Sequence, residues 1–282
     1  MLKDFAALIL THGRPSKVKT YHTLKNCGYT GRIVIVVDDE DDTVEDYKDA
    51  YGEEVYVFSK EAIAKTFDEA DNFNDRRAIV YARNASFEIA KELGVKNFIQ
   101  LDDDYTTFAY KFNGDYEYGD WKIKNLDSVF NAMLKFYNST NITSIAMAQG
   151  GDFIGGKNSG FAKKIKPKRK CMNTFICSTD RPFKFVGRIN EDVNTYTSIQ
   201  GRGGVFLTIP NIAITQLQTQ SNSGGMTDIY LDGGTFIKTF YSIIFSPSCV
   251  KVALMGTTHK RLHHRVSWNN AVPVIMSEYY KK

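Results

Sequence analysis

The first hundred residues alternate between two apolar patterns, and that alternation restricts the fold more than any other feature of the chain. "FAALIL" (5–10), "RIVIVVDDE" (32–40), "EVYVFS" (54–59) and "KNFIQLDDD" (96–104) are short, nearly continuous apolar runs. Runs of this kind are read as strands buried on both faces. Between them lie "THGRPSKVKTYHTLKNCG", "DTVEDYKDAYG" and "RRAIVYARNASFEIAKELG", whose apolar residues recur at helical spacing and whose ends are marked by Gly28, Gly52 and Gly94. Strands alternating with helices predict a parallel sheet with helices on both faces, a doubly wound α/β architecture. Ligands of such sheets gather beyond the carboxyl ends of the strands. Thr11–Pro15, Asp38–Asp39 and Asp102–Asp104 all fall at that edge.

After residue 120 the pattern changes. A helix is expected over Leu126 to Tyr137, then a Gly-rich, basic stretch from Gly150 to Lys170, then the strand-like runs "TFICS", "GVFLTIPNIAIT" and "YSIIFSP". Neither a repeat nor a clear linker divides the chain. One domain over 1–282 is expected, in two halves, 1–110 and 111–282, the second elaborating the acceptor side.

The four cysteines have no metal-type pairing, and no apolar window approaches the length of a membrane span, so a cytoplasmic protein without a membrane partner is expected. The net charge of +4 is mild, but its distribution is segregated. Acids crowd 38 to 54 and 102 to 104, whereas "KNSGFAKKIKPKRK" (157–170) holds seven cations and no acid. That segregation suits one metal-binding face and one anion-binding edge.

Three acids in a row at a strand end repel one another unless they share a cation. Asp102 and Asp104, two apart in an extended segment, point the same way. Their oxygens suit Mn²⁺ or Mg²⁺, with water and substrate phosphates completing the shell. A solvated strand end is the bland alternative.

The order "LILTHGRP", "IVVDDE", "YARN", "LDDDY", "NEDVN" and a histidine-rich tail resembles the GT-A nucleotide-sugar glycosyltransferases over most of residues 4 to 265. More narrowly, "RPFKFVGRINEDVNTYTSIQGRGG" (181–204) resembles the phage TET-associated glycosyltransferases, which modify hydroxymethylated pyrimidines in DNA. The resemblance implies a GT-A-like mixed sheet, mostly parallel, and a UDP-sugar donor. Thr11, His12, Gly13 and Arg14 are then expected to border the nucleotide, and Asp38 and Asp39 to accept hydrogen bonds from uracil or ribose. Arg83 pairs with a diphosphate or holds an aspartate. Asp102, Asp103 and Asp104 fall at the donor, with Asp102 and Asp104 on the metal. Asp192 matches the general base of inverting members, with Glu191 beside it. A late histidine completes the metal shell; His259, His263 and His264 are the candidates, and His259 is the one selected.

Other roles remain open for these residues. Arg83 makes a surface ion pair, Asp38 and Asp39 cap the next helix, Glu191–Asp192 is a solvated turn, and 157–170 is a solvated loop. If that basic segment is functional, Lys163, Lys164, Lys166, Lys168, Arg169 and Lys170 contact double-stranded DNA carrying hydroxymethylpyrimidine, because a polyphosphate backbone makes use of such a run. The expected activity is thus metal-dependent transfer from a UDP-sugar to the hydroxymethyl group of a DNA pyrimidine. Its rivals are a glycosyltransferase for a glycan or lipid-linked acceptor, a nucleotidyltransferase, and a non-catalytic DNA-binding module.

Overall fold

The computed structural model describes residues 3–71, 73–160, 162, 167–217, 234, 236–256 and 260–281. The expected alternation is present. β1 (Phe5–Leu10), β2 (Arg32–Asp38), β3 (Val55–Phe58) and β4 (Asn97–Asp102) are joined through α1 (Lys19–Asn26), α2 (Val44–Tyr51), the short α3 (Lys60–Ala64) and α4 (Val80–Glu92). Next come β5 (Tyr105–Phe112), β6 (Tyr118–Lys122), α5 (Leu126–Ser139), β7 (Ser144–Gln149), β8 (Phe175–Ser178), α6 (Glu191–Gly201) and β9 (Phe206–Gln216). α7 (Ile237–Phe245) and the pair β10 (Val250–Met255) and β11 (Arg261–Val266) complete the elements used below.

Nine strands form one sheet in the order β3-β2-β1-β4-β8-β7-β9-β5-β6. β3, β2, β1 and β4 are parallel, whereas β8 enters antiparallel between β4 and β7. β9 runs parallel to β7 and antiparallel to β5. This is the mixed α/β arrangement expected from the sequence.

Strand alternation decides which helix covers which face. Ala7 and Ile9 of β1, with Ile33, Ile35 and Val37 of β2, join one core with Leu24 of α1, Tyr47 of α2 and Phe130 of α5. Ala6, Leu8 and Leu10, with Val34 and Val36, join the other core with Tyr81, Ala85 and Ile89 of α4 and Tyr196 of α6. Every residue of β1 is apolar and buried. Truncating one such residue, Ile9→Ala, costs about 2–5 kcal/mol.

The carboxyl ends line up. Leu10 pairs with Val36 on one side and with Asp102 on the other, bringing Thr11, Asp38 and Asp102 to one edge. "YSIIFSP" departs from expectation: Tyr241–Phe245 is the second half of α7. A short apolar run does not by itself separate strand from buried helix, and here "IKTF" before it extends the run to helical length. All four cysteines are buried and free. Among the described residues no helix is long and apolar enough to cross a membrane.

Candidate active site

The three acids that end β4 do not lie in an extended segment. Asp102 is the last residue of the strand, and Asp103–Asp104 form the tight turn into β5. Thr20 staples that turn. Its hydroxyl donates to the Asp102 carbonyl at 2.6 Å and accepts from the Tyr105 N–H at 2.9 Å, and its own N–H donates to the Asp103 carbonyl at 3.1 Å. The three carboxylates therefore meet different surroundings. Asp103 is buried, and its Oδ2 accepts from the Thr11 hydroxyl at 2.7 Å and lies 2.8 Å from Arg14 Nε. It fixes the loop after β1 to the acid turn and does not face outward as a ligand contact. Asp104 is half-buried, and its Oδ1 has no hydrogen-bond partner among the described residues. Burial first, then the Asp103 charge, push its carboxyl up to about 6. Burial pushes Asp102 up to about 7 against the pull of Arg83.

A hard cation fits this turn. Asp104 offers a buried oxygen that lacks a donor, and Asp102 stands two residues away with its side chain 22% exposed. Among the described residues no group of three or more His, Cys, Asp and Glu side chains is arranged to hold a metal. Two protein carboxylates, with water and diphosphate oxygens in the other positions, are what such a cation commonly takes.

Arg83 comes from the sheet-facing side of α4 and is only 2% exposed. It is not the surface ion pair that the sequence left open. Its Nη2 lies 3.0 Å from Asp102 Oδ1, and its Nε donates to Glu191 Oε1 at 2.8 Å. The guanidinium lies 5.2 Å from the Phe175 ring and 5.8 Å from the Phe185 ring, within cation–π range. Asn84, the next residue, holds the incoming chain by exchanging two hydrogen bonds with the Phe185 backbone, both at 2.9 Å. One buried arginine thus ties the acid turn to the start of α6.

That helix start is built by backbone geometry. Gly187 has φ +80°, and a Cβ there would lie 2.3 Å from Asn194 Nδ2. Asn190, the residue before the helix, is left-handed at φ 63°, which asparagine tolerates better than most residues. Its Nδ2 donates to Ser242 Oγ at 2.7 Å and lies 3.2 Å from His264 Nδ1. Glu191 and Asp192 then occupy the first helical turn, where the helix dipole favours negative charge. Both are buried, so the solvated-turn reading does not apply. Glu191 is neutralised by Arg83. Among the described residues Asp192 Oδ1 accepts only its neighbour's N–H, from Val193 at 2.7 Å. Burial and then the Glu191 charge push Asp192 up to about 7, while Arg83 and Lys170 pull the other way.

In the loop after β1 Gly13 is left-handed at φ +68°, and its N–H donates to Asp41 Oδ2 at 2.6 Å. His12 Nδ1 lies 2.8 Å from Asp38 Oδ2, and Lys60 Nζ donates to Asp38 Oδ1 at 2.9 Å. Asp38 is buried between them. Burial raises its carboxyl, but His12 and Lys60 outweigh that and leave it below the usual range. Its hydrogen bond to Asp38 raises the His12 imidazole. Both Asp38 oxygens are thus engaged by the protein itself, one by His12 and one by Lys60. Asp39 is exposed and accepts the Lys60 N–H at 2.9 Å, capping α3 from a distance. Sequence reasoning overlooked Lys60, Asp41 and Tyr47, whose hydroxyl lies 2.8 Å from Thr11 Oγ1. Their spacing from the loop after β1 gives no signal, because only the parallel register brings them there.

His259, Lys163, Lys164 and Lys166 lie outside the described residues. The other three candidate DNA contacts have protein partners. Lys168 Nζ donates to Asn269 Oδ1 at 2.7 Å, Arg169 pairs with the buried Asp152, and Lys170 Nζ lies 3.7 Å from the same carboxylate.

No curated protein matches the chain in sequence. Several solved structures resemble it. Staphylococcus aureus TarS shares 11% identity, with 75% of this chain and 36% of TarS covered at a TM-score of 0.46. The mannosyltransferase PcManGT from Pyrobaculum calidifontis, solved with GDP-Man and Mn²⁺, shares 12% identity over 78% of this chain and 58% of its own, at 0.47. Glucosyl-3-phosphoglycerate synthase from Mycobacterium tuberculosis, solved with Mn²⁺, UDP and phosphoglyceric acid, shares 9% identity over 96% and 88%, at 0.46. This chain therefore spans well under two thirds of the first two. In sequence, the model of the TET-associated glycosyltransferases matches residues 5–225, which include the acid turn, Arg83 and the start of α6, and the chain belongs to that family of glycosyltransferases.

Proposed function

We propose that this glycosyltransferase moves a sugar from a UDP-type nucleotide sugar to the hydroxymethyl group of a modified pyrimidine in DNA, with inversion at the anomeric carbon. One observation carries the reading: a single buried guanidinium holds both Asp102, at the donor edge, and Glu191, beside Asp192. Donor carboxylates and a candidate base are thereby fixed in one locus, as a single displacement requires. The family membership supports the same chemistry and suggests the DNA acceptor.

In this scheme residues 1–110 hold the donor and 111–282 the acceptor. His12, held by Asp38, and the Gly13–Arg14 loop border the nucleotide. Asp102 and Asp104 would hold Mn²⁺ or Mg²⁺, which would offset charge on the diphosphate. Asp192 takes the proton of the acceptor hydroxyl as its oxygen bonds to the anomeric carbon. The bond from that carbon to the diphosphate breaks, and UDP leaves with the electron pair. A raised Asp192 suits a base that must accept a proton near neutral pH.

The test is nucleoside mass spectrometry after incubating hydroxymethylated DNA with a panel of nucleotide sugars and Mn²⁺. A hexose-sized mass gain on the modified pyrimidine, with nucleoside diphosphate released, is expected. Release of pyrophosphate would point to nucleotidyl transfer, and sugar transfer only to a glycan would remove the DNA acceptor.

A further inference from the structure

Residues 233 to 277 contain no Asp or Glu, yet include Lys238, Lys251, Lys260, Arg261 and Arg265. The core of this acid-free region is the antiparallel ribbon β10–β11, a two-stranded sheet apart from the nine-stranded one, packed on α7. Its register sets Lys251 opposite Arg265, Ala253 opposite His263 and Met255 opposite Arg261. Strand alternation puts these six on one face. Lys251, Arg261 and Arg265 are exposed, and none pairs with a carboxylate among the described residues. Like charges directly opposite each other destabilise a ladder. The Lys251–Arg265 pair thus weakens the ribbon unless an anion lies across it.

The root of the ribbon is fixed at the active site. His264 Nδ1 lies 3.2 Å from Asn190 Nδ2, two residues before Asp192. Lys238, on the helix beneath, feels the repulsion of Arg261 and the attraction of Asp192.

We propose that the β10–β11 ribbon is the duplex-contacting element, its cationic face set against DNA phosphates beside the acceptor base. The inference rests on the DNA reading given above. The major groove admits a two-stranded β-ribbon, and the substituent at C5 of a pyrimidine projects into that groove. The ribbon is rooted at Asn190 through His264, which strand alternation places on its other face. In the segment 157–170, Arg169 and Lys170 are taken up by Asp152 and Lys168 by Asn269, whereas the three ribbon cations have no carboxylate partner among the described residues.

The test is fluorescence anisotropy on a labelled hydroxymethylcytosine duplex across a salt series. Removing three phosphate contacts together, with Lys251→Ala, Arg261→Ala and Arg265→Ala, should lower the log–log salt slope by about 2.7, at about 0.9 per contact. Donor affinity, measured by calorimetry, should not move. Arg265→Glu sharpens the result: it replaces cross-strand repulsion with attraction, so the melting temperature should rise while DNA affinity falls. A ribbon with a purely structural role would gain the stability and keep the affinity. If wild-type protein binds DNA with a steep slope that the triple variant retains, the ribbon assignment is overturned and the DNA reading stands. If wild-type protein transfers sugar to another acceptor and ignores duplex DNA, both fall together.

Discussion

Two acidic runs meet at the candidate active site, and they are organised alike. In the turn after β4, Asp103 is held by Thr11 and Arg14, while Asp104 beside it has a buried oxygen with no donor. At the start of α6, Glu191 is held by Arg83, while Asp192 beside it accepts only a backbone N–H. Each run thus has an anchored carboxylate and a neighbour pushed toward neutral pH by burial and by the anchored charge. The two differ in what would relieve the strained member. Asp104 lies at the ends of parallel strands among other acids, where a divalent cation answers the charge. Asp192 lies buried beside Glu191, where in the proposed scheme a proton from the acceptor alcohol does so. Anchored acids hold the frame, and unanchored ones await a ligand.

Substitutions within each run separate these roles. Asp104→Ala should abolish transfer and weaken nucleotide-sugar binding in Mn²⁺, because a hard-cation ligand is lost. It should not lower the melting temperature, since no hydrogen bond breaks at Oδ1. Asp103→Ala should do the reverse: loss of two bonds to a buried carboxylate costs about 2–3 kcal/mol of stability. Titration calorimetry and thermal denaturation on one pair of variants read both. Full activity of Asp104→Ala, or of wild type in excess EDTA, would remove the metal from the scheme.

Asp192→Asn keeps the shape and the Val193 bond but cannot take a proton, so turnover should fall by about 10²–10⁴. Donor affinity should be unchanged. Glu191→Ala strands Arg83 with one partner fewer in a buried site, a loss of about 3–5 kcal/mol. If Asp192→Asn transfers normally and Glu191→Gln does not, the base is the other carboxylate.

What the sequence made legible follows from range. β1, β2, β4 and α4 could be read because apolar period and glycine stops are local signals. The convergence of Thr11, Asp38 and Asp102 could be read because parallel strands put their carboxyl ends on one edge. The Arg83–Glu191 bond, 108 positions apart, could not, and neither could Lys60 under Asp38. The extended Asp-x-Asp failed because β5 begins at Tyr105, which bends the chain at Asp103–Asp104. The ribbon escaped notice because its cations are spread through apolar residues, whereas 157–170 presents them as a run that turns out to be partly neutralised by Asp152.

The comparison also predicts a pH profile. Asp192 is raised from the carboxylate range near 4 to about 7, so its proton must leave before it can serve as base. Transfer should drop about tenfold per pH unit below 7, measured at saturating donor. The sign for stability is opposite. A raised folded value contributes stability that is present below about 4 and is lost as pH rises toward 7. Metal-free wild type should therefore melt at lower temperature at pH 7.5 than at pH 5, and Asp192→Asn should reduce that decline. A rate that is flat from pH 5 to 8 would show that this carboxylate does not carry the proton.

The smallest effect belongs to the anchored pair at the nucleotide edge. Asp38 is engaged on both oxygens, by His12 and Lys60, so its contribution to donor binding passes through His12. The His12 side chain is 41% exposed, and solvent screens whatever charge it carries. His12→Ala should then weaken the nucleotide sugar by about three- to tenfold, the loss of one hydrogen bond of about 0.5–1.5 kcal/mol, and leave turnover at saturating donor alone. His12→Asn, which keeps a short polar group near Asp38, should recover part of the affinity. Asp38→Asn should match His12→Ala in donor affinity and also lower the melting temperature, because Lys60 is then left buried without its counter-charge. Equal affinity in wild type and His12→Ala would place the nucleotide elsewhere along the edge, and would confine the likeness between the two acidic runs to their carboxylates.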